Sequence, residues 1–458
     1  MIYGSHKILN KARPGRWLPK NPVEIERWIQ RLKKRSIEQP QPLIQPIADL
    51  QQMVYSDPVL YGNVQAMFAE AYRLKKFTPL DWEPEPQTFE DFLTLLNTIM
   101  FTAPEAYQTG APPNQQAAGL IGFPINALLD WPMGTTYGYD VFSNALVNQQ
   151  FKKILTYWSN FLVTGASTYV LTQGDPEHDI IAWLSPTAQA EMVTVAQSAL
   201  GPSPNPIPPD AQFYEIFDCN PSDPNYGFTS WDNFFTRVFR ENARPLADPN
   251  DQNVICNACE SGPLQVKQNV KMSDSFWLKD QSYSLENILN WDEYASQFSG
   301  GTVYQAFLSA LSYHRWHSPV TGVIDKAYVV NGSYYLENLD QGFFNPDGAD
   351  PSAPNDSQAY LTAIATRAII FITADNPAIG RMCVVPVGMA EVSSCEITVK
   401  PGDRVKKGDQ LGMFHFGGST HCLIFRPGVN LTFDFYGETP GVEAPNNIRV
   451  KTRIAVVT

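Results

Sequence analysis

The feature that most restricts the fold is a change of sequence pattern across a proline-dense stretch, residues 200–210 (LGPSPNPIPPD). Before this stretch, apolar residues recur with helical spacing, as at residues 89–101 and 141–163, and each of these two segments predicts one helix. After it, from Asn253 onward, short Val- and Ile-rich runs alternate with clusters of Gly, Pro, Asn and Asp. That alternation is typical of β-strands joined by turns.

The pattern predicts an α+β protein with two domains. We place a helical N-terminal domain at residues 1–225 and a mainly antiparallel β domain at residues 226–458. The proline-dense stretch lies near this boundary and indicates a stiff linker. The length of 458 residues supports two domains, because domains cluster near about 100–200 residues.

The charge of the chain argues against two classes of partner. It holds 33 Lys and Arg against 46 Asp and Glu, a net charge of −13, which repels phosphate backbones and anionic lipid surfaces. We therefore expect no nucleic-acid partner. No apolar run reaches the roughly 18–20 residues of a membrane span. The basic first 23 residues contain no secretory apolar core, and six cysteines do not make a disulfide framework, so we expect a cytoplasmic protein.

Four of the six histidines lie in two short motifs. The first motif, residues 312–319 (SYHRWHSP), contains His314 and His317. These two side chains would share one face of a helical turn but point to opposite faces of a strand. The second motif, residues 415–421 (HFGGSTH), places Ser419 after two glycines. The clustering favours a functional site, although each histidine alone is compatible with a structural role.

Ser419 has three interpretations from its surroundings. It could be a nucleophile for acyl transfer with a histidine as its base. It could instead attack the carbonyl of Gly418, giving an ester that breaks by β-elimination and leaves a pyruvoyl group on the new chain. It could also belong to an ordinary Gly-Gly-Ser turn of a hairpin. The G-x-S-x-G elbow of many hydrolases is absent, because His421 stands two positions after the serine.

A second candidate pattern, Cys256-x-x-Cys259, suggests metal or redox chemistry. A zinc site would use a second close pair, and the remaining cysteines are scattered. We therefore interpret the pair as buried or half-buried thiols and predict no metal site. Residues 340–356 contain several Asp but lack the ligand spacing of a calcium loop, which indicates a flexible loop.

Four motifs, taken in order, resemble those of the phosphatidylserine decarboxylase family. They are residues 226–245 (YGFTSWDNFFTRVFRENARP), 312–322 (SYHRWHSPVTG), 387–399 (VGMAEVSSCEITV) and 414–420 (FHFGGST). Residues 1–225 resemble the N-terminal extension of the family's soluble fungal branch, which includes enzymes that act on L-tryptophan. The resemblance implies the family's fold, a decarboxylase activity and a pyruvoyl cofactor made from the chain itself, with no pyridoxal phosphate.

The resemblance also assigns roles to single residues. Ser419 matches the family's self-cleaving serine, so the scissile bond would be Gly418–Ser419. His317 matches the histidine that deprotonates this serine. His314 matches the neighbouring histidine of the decarboxylation step, in which it would protonate the substrate carbon.

The third member of the family's triad is an Asp in an A-D-G motif. The matching residues 257–261 read NACES and contain no Asp, and we assign Glu260 as the carboxylate that orients His317. Cleavage would give a β chain of residues 1–418 and an α chain of residues 419–458. The two chains of the one precursor would remain associated without a covalent bond.

We expect the substrate to be a free aromatic amino acid, L-tryptophan, because the chain shows neither the hydrophobic anchor nor the basic face of a lipid-acting enzyme. Residues 331–358 follow the histidine motif and contain Tyr334, Phe343 and Phe344. We interpret this segment as a lid that closes over the aromatic side chain; the alternative is an idle surface loop.

Three other functions remain open on the sequence. The first is decarboxylation of phosphatidylserine to phosphatidylethanolamine. The second is a serine hydrolase that uses Ser419, His317 and Glu260 without self-cleavage. The third is a binding protein of the same family without catalytic activity.

Overall fold

The structure is a computed structural model that describes residues 22–76, 86–109, 116–172, 180–274, 283–309, 311–339, 357–391, 394–415, 419–441 and 446–458. The described residues form two compact units. The first is drawn from Met1–Ser185, Thr229–Trp231 and Ser333–Ser357, and the second from Pro186–Phe228, Asp232–Gly332 and Gln358–Thr458. Residues 186–228 thus group with the second unit, and the division predicted at residue 225 stays a prediction.

The first unit is mainly helical. Its described helices are α1 (Pro22–Glu38), α2 (Gln45–Ser56), α3 (Pro58–Lys76), α4 (Phe89–Ile99), α5 (Pro124–Leu129), α6 (Thr136–Ser143) and α7 (Ala145–Leu162). Three short strands, β1 (Glu105–Thr109), β2 (Gln116–Ile121) and β3 (Ile180–Ile181), pair antiparallel in the order β2-β1-β3. The helical pattern of this half did not predict the small sheet.

Local sequence explains where α4 begins. The Thr88 side chain accepts a hydrogen bond from the Asp91 backbone N–H, and the Asp91 side chain accepts one from the Thr88 backbone N–H. This capping box satisfies two donors that the first turn of a helix leaves without partners. Apolar residues at helical spacing, among them Phe92, Leu96 and Ile99, are then buried.

The prediction of one helix at residues 141–163 was wrong, because the chain breaks at Asn144. This residue is extended (φ −70°, ψ 121°), and its side chain accepts hydrogen bonds from the backbone N–H groups of Leu146 and Val147. Asn bonds to nearby backbone in this way and therefore starts helices more readily than it continues them. The segment is thus the end of α6 followed by the whole of α7.

The second unit is mainly β structure. Its described helices are α8 (Pro186–Ser198), α9 (Phe213–Ile216), α10 (Trp231–Phe235, with Trp231 in the first unit), α11 (Leu285–Ile288) and α12 (Gln358–Ile364). Its described strands are β4 (Val254–Cys256), β5 (Gly262–Gln268), β6 (Thr302–Leu308), β7 (Arg315–His317), β8 (Gly322–Val330), β9 (Arg367–Ala374), β10 (Arg381–Gly388), β11 (Ser394–Ile397), β12 (Arg404–Val405), β13 (Gln410–His415), β14 (Ser419–Phe425), β15 (Leu431–Phe433) and β16 (Arg453–Val457).

These strands form three antiparallel sheets, which confirms the predicted α+β class. The largest has the order β12-β8-β9-β10-β14-β6-β5, and the smaller sheets have the orders β11-β13-β7 and β15-β16-β4. Strand β14 is internal to the large sheet and pairs over its full length with β10 on one side and β6 on the other.

The two faces of β14 have different neighbours. Cys422 and Ile424 belong to a buried apolar cluster that includes Phe371. Because side chains alternate along a strand, Ser419 and His421 point to the opposite face. All seven residues of β14 are buried, so this second face is covered as well.

Two of the passages of the chain between the large sheet and the β11-β13-β7 sheet begin and end at residues that are paired with each other. Gly388, the last residue of β10, is paired with Ser419, the first residue of β14. Across the passage, Ser394 at the start of β11 is paired with His415 at the end of β13. Ser419 therefore lies at the junction of the two sheets.

Candidate active site

The two histidines of the first motif are close in sequence but differ in environment. His317 ends the short strand β7, whereas His314 precedes it. The His314 ring is fully buried and stacks on Phe235 with ring centroids 4.1 Å apart. Burial, and next the Arg237 guanidinium, hold the pKa of His314 well below its usual value. His314 is therefore a neutral side chain in the folded protein.

Both ring nitrogens of His317 have hydrogen-bond partners. Nδ1 lies 2.8 Å from the carbonyl oxygen of Gly408, and Nε2 lies 3.0 Å from the hydroxyl of Tyr313. A carbonyl only accepts, so Nδ1 carries the proton and Nε2 accepts from Tyr313. Burial, followed by the charge of Lys451, lowers the pKa of His317 to about 3. The ring is thus held as a neutral imidazole with its basic nitrogen occupied by a phenol.

Glu260, the predicted partner of His317, hydrogen-bonds elsewhere. Its carboxylate accepts from Arg244 Nε at 2.9 and 3.1 Å, from the Nη2 atom of the same guanidinium, and from the Val450 backbone N–H at 2.8 Å. Among the described residues it makes no hydrogen bond to His317. The hydrogen bond to His317 that the sequence predicted is not present among the described residues, because Arg244 holds the carboxylate.

A packed array nevertheless connects Glu260 to His317. The Arg244 guanidinium lies over the Phe239 ring, 4.4 Å from its centroid. Phe239 packs on Tyr313 with centroids 4.6 Å apart, and Tyr313 in turn stacks on His317. Glu260 is therefore linked to His317 only indirectly, through Arg244, Phe239 and Tyr313.

Ser419 is fully buried at the start of β14, and its hydroxyl makes no hydrogen bond to any described residue. Such groups are rare in folded proteins and call for an explanation. Gly417 and Gly418 lie outside the described residues, and so does the predicted scissile bond. The structure therefore places the predicted nucleophile at the junction of the sheets with its oxygen uncommitted.

His415, which sequence analysis left without a role, is held between two carboxylates. Its Nδ1 lies 2.9 Å from one Asp232 oxygen, and its Nε2 lies 2.8 Å from a Glu396 oxygen. Burial disfavours the charged ring, but the hydrogen bonds and charges of Asp232 and Glu396 outweigh it and raise the pKa of His415. A charged clamp thus holds the end of β13, four residues before Ser419.

His421 is a second residue to which sequence analysis gave no role. It is fully buried, and burial lowers its pKa to about 3. Its ring nitrogens make no close, well-aligned hydrogen bond to a described residue. The Ala306 backbone lies near the ring and partly offsets the lowering of the pKa by burial. The sequence feature that could have identified His421 is its position two residues after Ser419, because residues i and i+2 of a strand share a face.

Of the three predicted substrate-binding residues, the structure describes only Tyr334. Tyr334 is buried in the first unit, where its backbone N–H donates to the Asn148 side chain. The neighbouring Tyr335 packs there against Phe142 and Phe151. Phe343 and Phe344 lie outside the described residues, so the lid stays a prediction.

The Cys256-x-x-Cys259 pair is buried, as interpreted from the sequence, and burial raises the pKa of each thiol. The described ranges contain no group of three or more His, Cys, Asp or Glu side chains placed to hold a metal ion.

The described residues include a candidate base and a candidate nucleophile, both buried. Neutral His317 has a lone pair that can accept a proton, and the Ser419 hydroxyl can lose one. No hydrogen bond joins these two side chains within the described residues. Because Tyr313 occupies Nε2, its hydroxyl would have to pass a proton on or move aside before His317 could serve as a base for the serine.

Comparison with known proteins agrees with these features. A family model described as phosphatidylserine decarboxylase matches residues 231–444, and a second model of that description matches residues 44–192. The chain is 42% identical to a decarboxylase, iboD, of Amanita muscaria over 322 residues, which are 68% of this chain and 86% of the relative. It is 34% identical to the L-tryptophan decarboxylase of Psilocybe cubensis over 84% of this chain and 81% of the relative. The L-tryptophan decarboxylase of Psilocybe cyanescens is 33% identical over 90% and 88%.

An α+β chain with these relatives is an enzyme of the carboxy-lyase class. It belongs to the phosphatidylserine decarboxylase family, as its motifs predicted. None of the helices in the described part of the chain is long and apolar enough to cross a membrane.

Proposed function

We propose that this enzyme cleaves itself at Gly418–Ser419 and then decarboxylates a free aromatic L-amino acid, L-tryptophan, to the corresponding amine. The observation that carries the proposal is the Ser419 hydroxyl, which is buried at the first position of a strand and has no hydrogen-bond partner among the described residues. In a family whose members convert such a serine, an uncommitted hydroxyl is the group to be converted.

In the first stage His317 takes the proton of Ser419. The serine oxygen then attacks the Gly418 carbonyl, and the peptide becomes an ester with a free amine on residue 419. β-Elimination releases the Gly418 carboxylate and leaves a dehydroalanine, which water hydrolyses to the pyruvoyl group with loss of ammonia. The low pKa of His317, about 3, keeps its imidazole neutral at physiological pH, so the ring retains the lone pair that a base needs. Tyr313 and Gly408 set the direction of the ring.

The products would be a β chain of residues 1–418 and an α chain of residues 419–458. Strand β14 supports their continued association, because it pairs along its length with β10 and with β6. Strand β16 adds a second attachment through its pairing with β4. The cut therefore leaves the α chain held by two internal strands.

A pyruvoyl group at residue 419 would supply an electron sink for the loss of CO2. The surroundings fit such a group, since Ser419 is buried and its oxygen has no partner among the described residues. His314 is proposed to deliver the proton to the substrate carbon. Because burial keeps the ring neutral at rest, His314 would give up its ring N–H proton and take one back from the departing product or solvent, and its stacking on Phe235 limits competing water.

The choice of substrate rests on the relatives named L-tryptophan decarboxylase, at 34% and 33% identity. The net charge of −13 is consistent with a free amino acid rather than an anionic lipid surface. The family models are named for phosphatidylserine, which makes this lipid the second candidate substrate. The predicted cytoplasmic location stays a prediction.

Two measurements test the proposal. Intact mass should show two chains for the wild type and one for Ser419→Ala, while the matched variant Ser299→Ala, outside the site, should be cut normally. Processed enzyme should then release amine from tryptophan in a panel that includes tyrosine, phenylalanine, serine and phosphatidylserine. A single uncut chain that still releases CO2, or amine production by Ser419→Ala, would refute self-cleavage. Turnover of phosphatidylserine alone would refute the substrate.

A further inference from the structure

Among the described residues, two fully buried side chains on one face of the large sheet leave polar atoms without a hydrogen-bond partner. They are Ser419, whose hydroxyl makes no hydrogen bond to a described residue, and His421, whose ring has only the Ala306 backbone beside it and so keeps at least one nitrogen free. Ser419 and His421 are two positions apart on β14, and Tyr304 lies on the adjacent strand β6. Folded proteins pair nearly all buried polar atoms, so two such groups at one place point to a ligand.

The strands beside His421 carry small side chains next to it. Its cross-strand neighbours are Ala306 on β6 and Pro386 on β10. Cross-strand neighbours share a face of the sheet, so the side chains that flank His421 are small. Ser419 has Gly388, which has no side chain, on one side and Leu308 on the other. The residues that flank His421 therefore offer little steric resistance to a flat group.

A row of aromatic rings begins at this point. The Tyr304 ring meets His421 edge-on with centroids 5.9 Å apart, and it stacks on Phe435 at 5.6 Å. Phe433 stacks on Phe435, also at 5.6 Å. Phe433 and Phe435 are partly exposed, so the row extends from the buried histidine toward the surface. Such rings bind another aromatic ring by offset or edge-on contact.

We propose that His421 and this aromatic row form the subsite for the aromatic side chain of the substrate, and that His421 accepts a hydrogen bond from the ring N–H of an indole. This inference rests on the proposed function. A neutral imidazole has one nitrogen with a lone pair to accept. Residues 419 and 421 are roughly 6.6 Å apart along an extended strand. That spacing is comparable with the reach from the α-carbon of tryptophan to its indole.

The test compares tryptophan with phenylalanine, whose ring carries no N–H. We measure kcat/KM for both substrates on the fully processed form of the wild type, His421→Leu and His421→Gln. His421→Leu should lower the tryptophan-to-phenylalanine ratio about tenfold, the effect of one hydrogen bond. His421→Gln keeps an acceptor and should recover part of the ratio. The control Cys422→Ala alters the same strand on its opposite face and should change both substrates alike.

The possible outcomes distinguish failure of the proposed subsite from failure of the proposed function. A wild-type ratio in both His421 variants, with tryptophan still decarboxylated, would overturn the subsite and leave the proposed function intact. An equal fall of the ratio in Cys422→Ala would also overturn it, because disturbance of the strand would then be the cause. A processed wild type that decarboxylates no aromatic amino acid would refute the proposed function and the subsite together.

Discussion

Glu260 is the residue for which the sequence and the structure give different roles, and replacing it distinguishes them. Both members of its ion pair with Arg244 have side chains that are only 2% exposed. Removing one partner of a buried pair leaves the other charge uncompensated, which costs about 3–5 kcal/mol. We therefore expect Glu260→Gln to lower the free energy of unfolding of the second unit by about that amount.

The measurement is urea unfolding, followed by tryptophan fluorescence, in a Ser419→Ala background so that self-cleavage does not intervene. With a slope of about 3 kcal/mol per molar urea, the expected midpoint shift is at least about 1 M. The control is Glu293→Gln. Glu293 pairs with Lys326 but has 73% of its side chain exposed, so its loss should cost no more than about 1 kcal/mol.

The result that would refute this reasoning is specific. If Glu260→Gln unfolds at the midpoint of Glu293→Gln, and yet stops self-cleavage when Ser419 is present, the carboxylate acts on the chemistry. Glu260 would then orient His317 as the sequence predicted, in an arrangement other than the one described. A large loss of stability with a proportionate loss of cleavage supports the structural role.

Tyr313→Phe should slow self-cleavage roughly fivefold, because it removes a hydrogen bond of about 1 kcal/mol to His317 while keeping the stacked ring; a wild-type rate in a mass-resolved time course would contradict this. The second unit should lose stability as the pH falls below about 6.5, since His317 and His421, with folded pKa values of about 3, take up protons first in the unfolded chain. A flat acid-unfolding profile between about pH 6 and 4 would exclude that assignment. The clamp at His415 has the opposite sign: its raised pKa makes its contribution complete below about pH 6.5 and lost as the pH rises through the folded value. His415→Gln should therefore flatten the alkaline side of the stability profile, and an unchanged alkaline side would show that the clamp contributes little.

Much of the fold could be predicted from local pattern. The helical spacing around Phe92 and the short apolar runs after Asn253 depend on neighbours a few residues away, which a sequence displays directly. Asn144 shows the limit of the method, because a cap and a helix-interior residue differ only in backbone angles that apolar spacing does not reveal.

The candidate site could likewise be predicted only in part. Ser419 and the histidine pair were found because they lie in compact motifs, and their residue types carry the chemistry. Tyr313 lies in the same motif as His317, but the motif does not reveal that its hydroxyl bonds to the His317 ring. That contact depends on the backbone conformation between the two residues. Arg244 is 16 residues from Glu260 in sequence, and only folding brings the two charges together.

By itself the sequence determined the family, the α+β class and the serine on which the proposed chemistry depends, because these follow from residue types at fixed short spacings. Only the tertiary structure showed that Glu260 forms an ion pair with Arg244 and that the Tyr313 phenol hydrogen-bonds to His317. It also showed that His421 shares a buried face of the sheet with Ser419. These contacts are set by how the chain folds, and several donors could reach the same acceptor. Which donor bonds to it depends on three-dimensional packing, which a local sequence pattern does not contain.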